Sequence, residues 1–138
     1  MIPNDRLLTF RISNWGIVDM KTSLFGSKEE YQKIIRNLSQ EPVDAISVST
    51  YEYNQMAFDT DKNMAQLTQE ATGLPIMICG SIYDRASADE ALKDADIVLS
   101  AKSLLLNPGW VEDIRLNKPV NRYKSEDANI AYTQEALP

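Results

Sequence analysis

The sequence predicts an α/β fold in which the strands of a parallel sheet alternate with helices. Short apolar runs recur about every 30 residues, at 6–13, 44–49, 75–79 and 97–100, and segments of helical character separate them. The third and fourth runs are apolar without alternation, as expected of strands that are covered on both faces. A regular succession of such strands and helices indicates a parallel sheet.

The first helix is predicted from a capping signal. Ser27 and Glu30 have the spacing of a capping box, in which the serine oxygen accepts from the third helical amide and the glutamate reaches back. Apolar residues from Tyr31 to Leu38 then recur at helical spacing. We expect this helix to end before Pro42, because the residue preceding a proline disfavours the helical conformation.

Three further helices follow the remaining strands. Thr60 or Asp61 is expected to cap the second, with Gly73 as its C-terminal stop. The third is expected over residues 87–93. The fourth is expected to begin at Asn107 and Pro108, because a capping residue followed by proline is a frequent helix start.

Periodicity fades beyond residue 118. We therefore expect one domain over residues 1–118 and an irregular tail over residues 119–138, either frayed or ordered by contact. Within the domain, Trp110 is expected in the core. Cys79 is expected to act as a small buried hydrophobe. The loop aromatics Tyr51, Tyr53 and Phe58 either pack on the neighbouring helix or cover the edge of a ligand.

Composition excludes several functions. The 138 residues include 14 Lys and Arg against 20 Asp and Glu, and the net charge of −6 argues against non-specific binding to nucleic acid or to anionic lipid. There is no histidine, which excludes Ser-His and Cys-His catalytic pairs and His-ligated metals. Since Cys79 is the one cysteine, we expect no disulfide and no metal site, and a cytoplasmic setting. No apolar run approaches the ~20 residues of a membrane span.

Two parallel architectures fit the order of elements. A small doubly wound, phosphate-binding domain would carry a glycine-rich loop after its first strand, but Asn14, Trp15 and Gly16 form no such motif. The glycine turn instead follows the third strand, and a phosphate site in the last two βα loops recurs in (β/α)8 barrels. A full barrel takes roughly 250 residues, so four units predict the parallel (βα)4 half of a TIM barrel. Strand order distinguishes the two.

Several segments of the chain, in this order and spacing, carry a more specific signal. They are LTFRIS (8–13), LPIMICGSI (74–82), ADEAL (88–92), ADIV (95–98), KSLL (102–105) and NPGW (107–110). Together they resemble the C-terminal half of the old yellow enzyme family, FMN-dependent (β/α)8 oxidoreductases that use NADH or NADPH. The resemblance covers residues 6–118, and LTFRIS looks like the fifth strand of the family.

The resemblance implies five cofactor-binding residues. Arg11 stands where the family directs an arginine at the flavin pyrimidine ring, where a guanidinium stabilises negative charge on the reduced flavin. Gly80 and Ser81 match the turn whose amides hold the FMN phosphate. Ala101 and Lys102 occupy the place of the usual Gly-Arg. This is a departure, because lysine neutralises phosphate without the planar two-pronged geometry of arginine.

The resemblance also implies which function is missing. The family takes its substrate-activating His and Asn, or paired His, and its proton-donating tyrosine from the first half of the barrel, so no catalytic residue is expected in this chain. We therefore interpret the chain as the C-terminal portion of an enzyme that passes hydride from a nicotinamide through FMN to an electron-poor alkene. We expect it to contact FMN but to be inactive alone. The alternative is a non-catalytic half-barrel that self-associates.

Half a barrel leaves two strand edges unpaired, at residues 6–13 and 97–100. Apolar residues of these strands would lack the opposite wall of the barrel, namely Leu8, Ile12, Ile97 and Leu99. Unpaired edges are templates for association. We therefore expect either a homo-oligomer formed through these edges or a sheet capped by the tail.

Overall fold

A parallel four-stranded sheet organises residues 6–16 and 22–124, the part of the chain that the computed structural model describes. Its strands are β1 (Thr9–Ser13), β2 (Ala45–Ser49), β3 (Ile76–Cys79) and β4 (Ile97–Val98). They pair in the order β1-β2-β3-β4, and every pair is parallel. A doubly wound sheet would show a reversal of strand order. The sequential order therefore confirms the predicted half-barrel architecture.

Five helices accompany the sheet in the described residues: α1 (Lys28–Leu38), α2 (Met64–Thr72), α3 (Arg85–Ala91), α4 (Lys102–Leu106) and α5 (Trp110–Arg115). Four of them correspond to predicted helices. The short helix α4, directly after β4, was not predicted, because its N-cap residue Ala101 has no side-chain acceptor to signal a helix start. β1 and β4 are shorter than predicted, since residues 6–8 and 99–100 lie outside the strands.

The cap of α1 is half of a capping box. Ser27 Oγ accepts from the Glu30 amide at 3.2 Å, as predicted. The Glu30 carboxylate accepts at 2.7 Å from the amide of Gly26 rather than from that of Ser27. The carboxylate therefore satisfies a backbone donor one residue earlier in the chain.

Thr60 and Asp61 were wrong as predicted N-caps of α2, because Asn63 is the N-cap residue. Its side chain accepts from the Gln66 amide at 3.0 Å, and the Gln66 side chain accepts from the Asn63 amide at 2.9 Å. Thr60 instead stabilises the preceding turn by accepting from the Lys62 amide. Gly73 ends the helix as predicted, with φ +67°.

The starts of α3 and α5 also differ from the prediction. α3 begins at Arg85 because the Asp84 carboxylate accepts from the Ser87 amide at 2.9 Å. Hydrogen bonds from the Ser87 backbone and side chain lower the pKa of Asp84. Asn107 lies at the end of α4, and α5 begins only at Trp110.

One face of the sheet forms the core beneath the helices. Ile46, Val48, Ile76 and Ile78 are fully buried on it. Ile12, the register partner of Val48, also packs there, so the expectation that Ile12 would lack a covering layer was wrong.

The helix layer contributes Tyr31 and Leu67 to this core, both fully buried. The Tyr31 hydroxyl lies 2.5 Å from Thr68 Oγ1, which in turn donates to the Met64 carbonyl. Burial raises the pKa of Tyr31 to about 12, although the Thr68 bond opposes the shift. The buried Tyr31 hydroxyl is thus held by a chain of two hydrogen bonds.

The other face of the sheet, here called the open face, carries the register set Arg11, Ser47, Met77 and Ile97. Arg11 is exposed, and Ile97 is 42% exposed. Ser47 is 5% exposed, yet its hydroxyl has no hydrogen-bond partner among the described residues. In a closed barrel this face would line the interior.

Truncation of a buried side chain tests the layer between helices and sheet. Leu67 is fully buried, so Leu67→Ala should lower the free energy of unfolding by about 2–5 kcal/mol, through lost contacts and a residual cavity. Leu116→Ala is the matched control, because Leu116 is 49% exposed. Urea titration of both variants measures the difference, and equal effects would contradict the assigned core.

Candidate functional site

A cavity of about 290 Å³ lies at the carboxyl ends of the strands. The ends of all four strands and the loops that follow them contribute to its wall, because the strands are parallel and their carboxyl ends meet at one edge. The lining includes all five residues that the resemblance singled out, Arg11, Gly80, Ser81, Ala101 and Lys102. Residues up to 91 positions apart in the sequence, from Arg11 to Lys102, thus share one cavity.

Arg11 projects from β1 toward the ends of the neighbouring strands. Its Nη2 donates to Ser49 Oγ at 2.9 Å and contacts Cys79 Sγ at 3.4 Å. No carboxylate of the described residues pairs with it. The guanidinium keeps further N–H groups with which to bind an anion or a carbonyl oxygen.

Cys79 belongs to the cavity wall as well as to β3. The thiol is half-buried and lies 3.7 Å from Ser49 Oγ and 3.8 Å from the Val48 carbonyl oxygen. Cys79 therefore has a polar environment, whereas the sequence predicted a buried hydrophobic one. The strand end turns this side chain to the same face as Ser49, its register partner.

Gly80 is required by the packing of two neighbouring loops. Its φ is +132°, and a Cβ at this position would lie 2.6 Å from both the carbonyl oxygen and Oγ1 of Thr50. Thr50 is held in place because its Oγ1 donates to the Cys79 carbonyl at 2.7 Å. The glycine signal in the sequence thus has a structural cause beyond a simple turn, namely close contact between the β2 and β3 strand ends.

Ser81 continues the turn in a left-handed conformation, with φ +52°. Its hydroxyl donates to the Tyr51 carbonyl at 3.0 Å and accepts from the Tyr83 hydroxyl at 3.3 Å. The first bond ties the loop after β3 to the loop after β2, and the second lies within the loop after β3. The turn is therefore held by the protein's own hydrogen bonds.

Two of the loops that line the cavity have unused backbone donors. Within residues 6–16 and 22–124, the amides of Gly80, Ser81, Ala101 and Lys102 donate to no protein acceptor. Ala101 replaces a glycine of the family pattern, but its φ of −110° is open to alanine. The replacement therefore imposes no backbone strain on the second loop.

The Lys102 ammonium lies near two aromatic rings. Its Nζ is 6.0 Å from the centroid of Tyr51 and 5.3 Å from that of Tyr123. Sequence reasoning named Tyr51 as a residue that could cover a ligand, whereas it gave no signal for Tyr123. Tyr53 and Phe58 pack against the core and do not line the cavity.

No protein-family model matches the sequence, and no curated protein matches it. Solved structures do match. A variant of NCR from Zymomonas mobilis gives a TM-score of 0.65 at 16% identity, over 92% of this chain and 39% of its own. The structure of morphinone reductase in complex with tetrahydroNAD gives a TM-score of 0.67 at 16% identity, and the match covers 94% of this chain and 35% of that one. Another morphinone reductase structure gives a TM-score of 0.60 at 16% identity, and the match covers 86% of this chain and 32% of that one.

NCR and morphinone reductase are members of the old yellow enzyme family. The chain has the fold of half an old yellow enzyme barrel. It spans between 32% and 39% of the length of these neighbours. The resemblance drawn from sequence is thereby confirmed at the level of the fold.

The described residues offer neither a metal cluster nor a membrane span. Across the described ranges, no group of three or more Cys, Asp or Glu side chains is arranged to hold a metal ion. None of the helices in the same ranges has the length and apolar character needed to cross a bilayer. The cavity at the strand ends is accordingly the site on which a functional proposal rests.

Substitution at Gly80 tests the tight contact beneath the site. Gly80→Ala should destabilise the fold by more than about 1 kcal/mol, because it combines a positive φ with a Cβ clash against backbone atoms of Thr50. Gly109→Ala is the control, since its Cβ would meet only the flexible end of the Asp113 side chain, at 3.2 Å. Thermal unfolding compares the two. A Gly80 variant as stable as the control would contradict the assigned loop packing.

Proposed function

We propose that this chain is the C-terminal, FMN-binding portion of an NAD(P)H-dependent oxidoreductase of the old yellow enzyme type. The observation that carries the proposal is the convergence of Arg11, Gly80, Ser81, Ala101 and Lys102 on one cavity at the strand ends. This position is where (β/α)8 enzymes hold their ligands. When bound, FMN would supply hydride transfer from NADH or NADPH to an electron-poor alkene.

The loops after β3 and β4 fit the phosphate end of the cofactor. Their unused amides supply hydrogen-bond donors from two directions, and Lys102 supplies a positive charge. Oriented backbone donors of this kind form anion-binding concavities without moving. The donors therefore suit a phosphate monoester.

Arg11 fits the opposite, ring end of the cofactor. β1 lies at one edge of the sheet, and the candidate phosphate loops follow the two strands at the other edge. A ligand that reaches both must extend from the guanidinium, which lies beside Ser49 and Cys79, to the loops after β3 and β4. A guanidinium at the ring end would stabilise negative charge that develops on the reduced flavin.

The proposal assigns binding, and no catalytic residue, to this chain. No histidine is present to activate a carbonyl, and the chain matches well under half the length of its structural neighbours. The remaining barrel wall and the acceptor site belong to a partner half. One neighbour was solved with tetrahydroNAD, which supports a nicotinamide as the reductant in that fold. A cytoplasmic setting, inferred from the single cysteine, is part of the proposal.

Binding of FMN tests this function directly. The chain should quench flavin fluorescence and bind FMN more tightly than riboflavin, since riboflavin lacks the phosphate. Lys102→Gln should weaken FMN binding about tenfold, because it removes a charge-assisted contact. Lys118→Gln is the matched control, as Lys118 pairs with Asp113 outside the cavity.

Two results would contradict the proposal. One is equal affinity for FMN and riboflavin in the unmodified chain. The other is NADH-dependent reduction of an alkene by the chain alone, which would show that binding and catalysis are not divided between halves.

A second candidate function, self-association as a half-barrel module, is favoured by the open face. Within the described residues, β1 and β4 each pair on one side only. The partly exposed Ile97 and the unpartnered Ser47 hydroxyl lie on the same face. A second copy that presented its own open face would pair both edges and bury both sets of residues.

Sedimentation tests this association. The chain should form a dimer whose population rises with protein concentration. Ile97→Lys should shift it to monomer, because the charge would be buried on the open face. Leu116→Lys, on the helix side, should leave the dimer intact. A monomer at all concentrations would rule out association through these edges.

A further inference from the structure

The C-terminal segment, defined as residues 120–124, is held beside the two candidate phosphate loops by hydrogen bonds to Asn107. Asn107 is 8% exposed, and its side-chain amide pairs with both backbone groups of residue 121. Nδ2 donates to the Asn121 carbonyl at 2.9 Å, and Oδ1 accepts from the Asn121 amide at 2.8 Å. Val120, the residue before Asn121, packs against the core. The segment is therefore ordered by contact, and only residues 125–138 of the expected tail lie outside the described residues.

This anchoring brings two consecutive side chains to two different loops. The Arg122 guanidinium carbon lies 4.4 Å from the centroid of the Tyr83 ring. Through its hydroxyl, that ring donates to Ser81 Oγ in the turn after β3. The next residue, Tyr123, places its ring beside Lys102 in the loop after β4. Neither residue lines the cavity itself: Arg122 stacks on Tyr83 of the cavity wall, and Tyr123 contacts Lys102, the cation of the second loop.

We infer that the C-terminal segment completes the phosphate site, with Tyr123 positioning the Lys102 ammonium and Arg122 supplying a second positive charge. The inference rests on the proposed function and specifies the ligand group further, as a phosphate monoester in its dianionic form. Two cations match two negative charges. A phosphodiester, with one charge, would gain less from the second cation.

Tyr123 matters because lysine carries its charge on a flexible stem. The rings of Tyr51 and Tyr123 both lie within about 6 Å of the ammonium, and the face of each ring attracts a cation. Removing one ring frees the stem to leave the cavity. Tyr123 therefore acts through Lys102 as a positioning residue.

Within the described residues, the Asp84 carboxylate competes for Arg122. The Asp84 carboxylate caps α3, and its main partners are the backbone and side chain of Ser87, with Arg122 a smaller influence that also lowers its pKa. Because Ser87 already satisfies Asp84, the guanidinium retains donors for a phosphate. If Arg122 served Asp84 alone, its loss would not alter phosphate binding.

Titrations of the full chain with FMN, riboflavin and inorganic phosphate test the inference. Arg122→Gln should weaken FMN and inorganic phosphate binding about fivefold and leave riboflavin binding unchanged. Arg115→Gln is the matched loss of charge, because Arg115 pairs with Glu112 on α5 whereas Arg122 stacks on a ring of the cavity wall, and it should change none of the three.

Tyr123→Leu should weaken FMN binding and reduce its dependence on salt, whereas Tyr123→Phe, which keeps the ring, should restore both. Asp84→Asn, with Arg122 intact, should leave phosphate binding equal or tighter. Thermal unfolding of each variant shows whether the fold is retained.

The outcomes separate the inference from the function on which it rests. If the unmodified chain binds FMN but Arg122→Gln and Tyr123→Leu bind it equally well, the inference is wrong and the proposed function stands. If the chain binds inorganic phosphate with the predicted dependence on these residues but shows no gain from the flavin ring, the inference stands and the flavin assignment fails. If it binds neither ligand, both are overturned.

Discussion

The burial of one face of the sheet beneath helices is the constraint on which the rest of the molecule depends. Ile46, Val48, Ile76 and Ile78 pack there, and a one-residue slip of any strand would exchange them for the residues of the open face. The register fixed by that burial places Ser49 beside Cys79 and brings Arg11 within reach of both. The cavity is therefore a consequence of core packing and not an independent feature of the loops.

The sequence predicted the parts of this structure that depend on local chemistry. The succession of strands, the Ser27 cap and the Gly73 stop follow from propensity and backbone sterics, and they stand where they were expected. It did not predict the Asn63 cap, because Thr60 and Asp61 offer equally good acceptors and only the surrounding turn decides among the three. α4 escaped prediction because a helix of five residues without a side-chain cap leaves no periodic pattern.

The candidate site, too, was predicted only in part from the sequence. Arg11, Gly80, Ser81, Ala101 and Lys102 were found from their order along the chain, and the fold then placed them in one cavity. Tyr123 and Arg122 could not be found in this way, since their position depends on a pairing across 14 residues with the side chain of Asn107. The sequence signal at residue 107 was interpreted as a helix cap, which is the commoner use of asparagine before proline. The contact that mattered was a tertiary one, and no local pattern encodes it.

The residue after Asn107 protects the contact between Asn107 and Asn121 from a common chemical change. Asparagine side chains age mainly by cyclisation, in which the backbone nitrogen of the following residue attacks the side-chain amide carbon and expels ammonia. Here the following residue is Pro108, whose nitrogen carries no hydrogen, so this route is closed. A deamidated Asn107 would place a carboxylate against the Asn121 carbonyl oxygen and would repel the segment that it now holds. The Asn-Pro pair therefore protects this contact from deamidation through a cyclic imide.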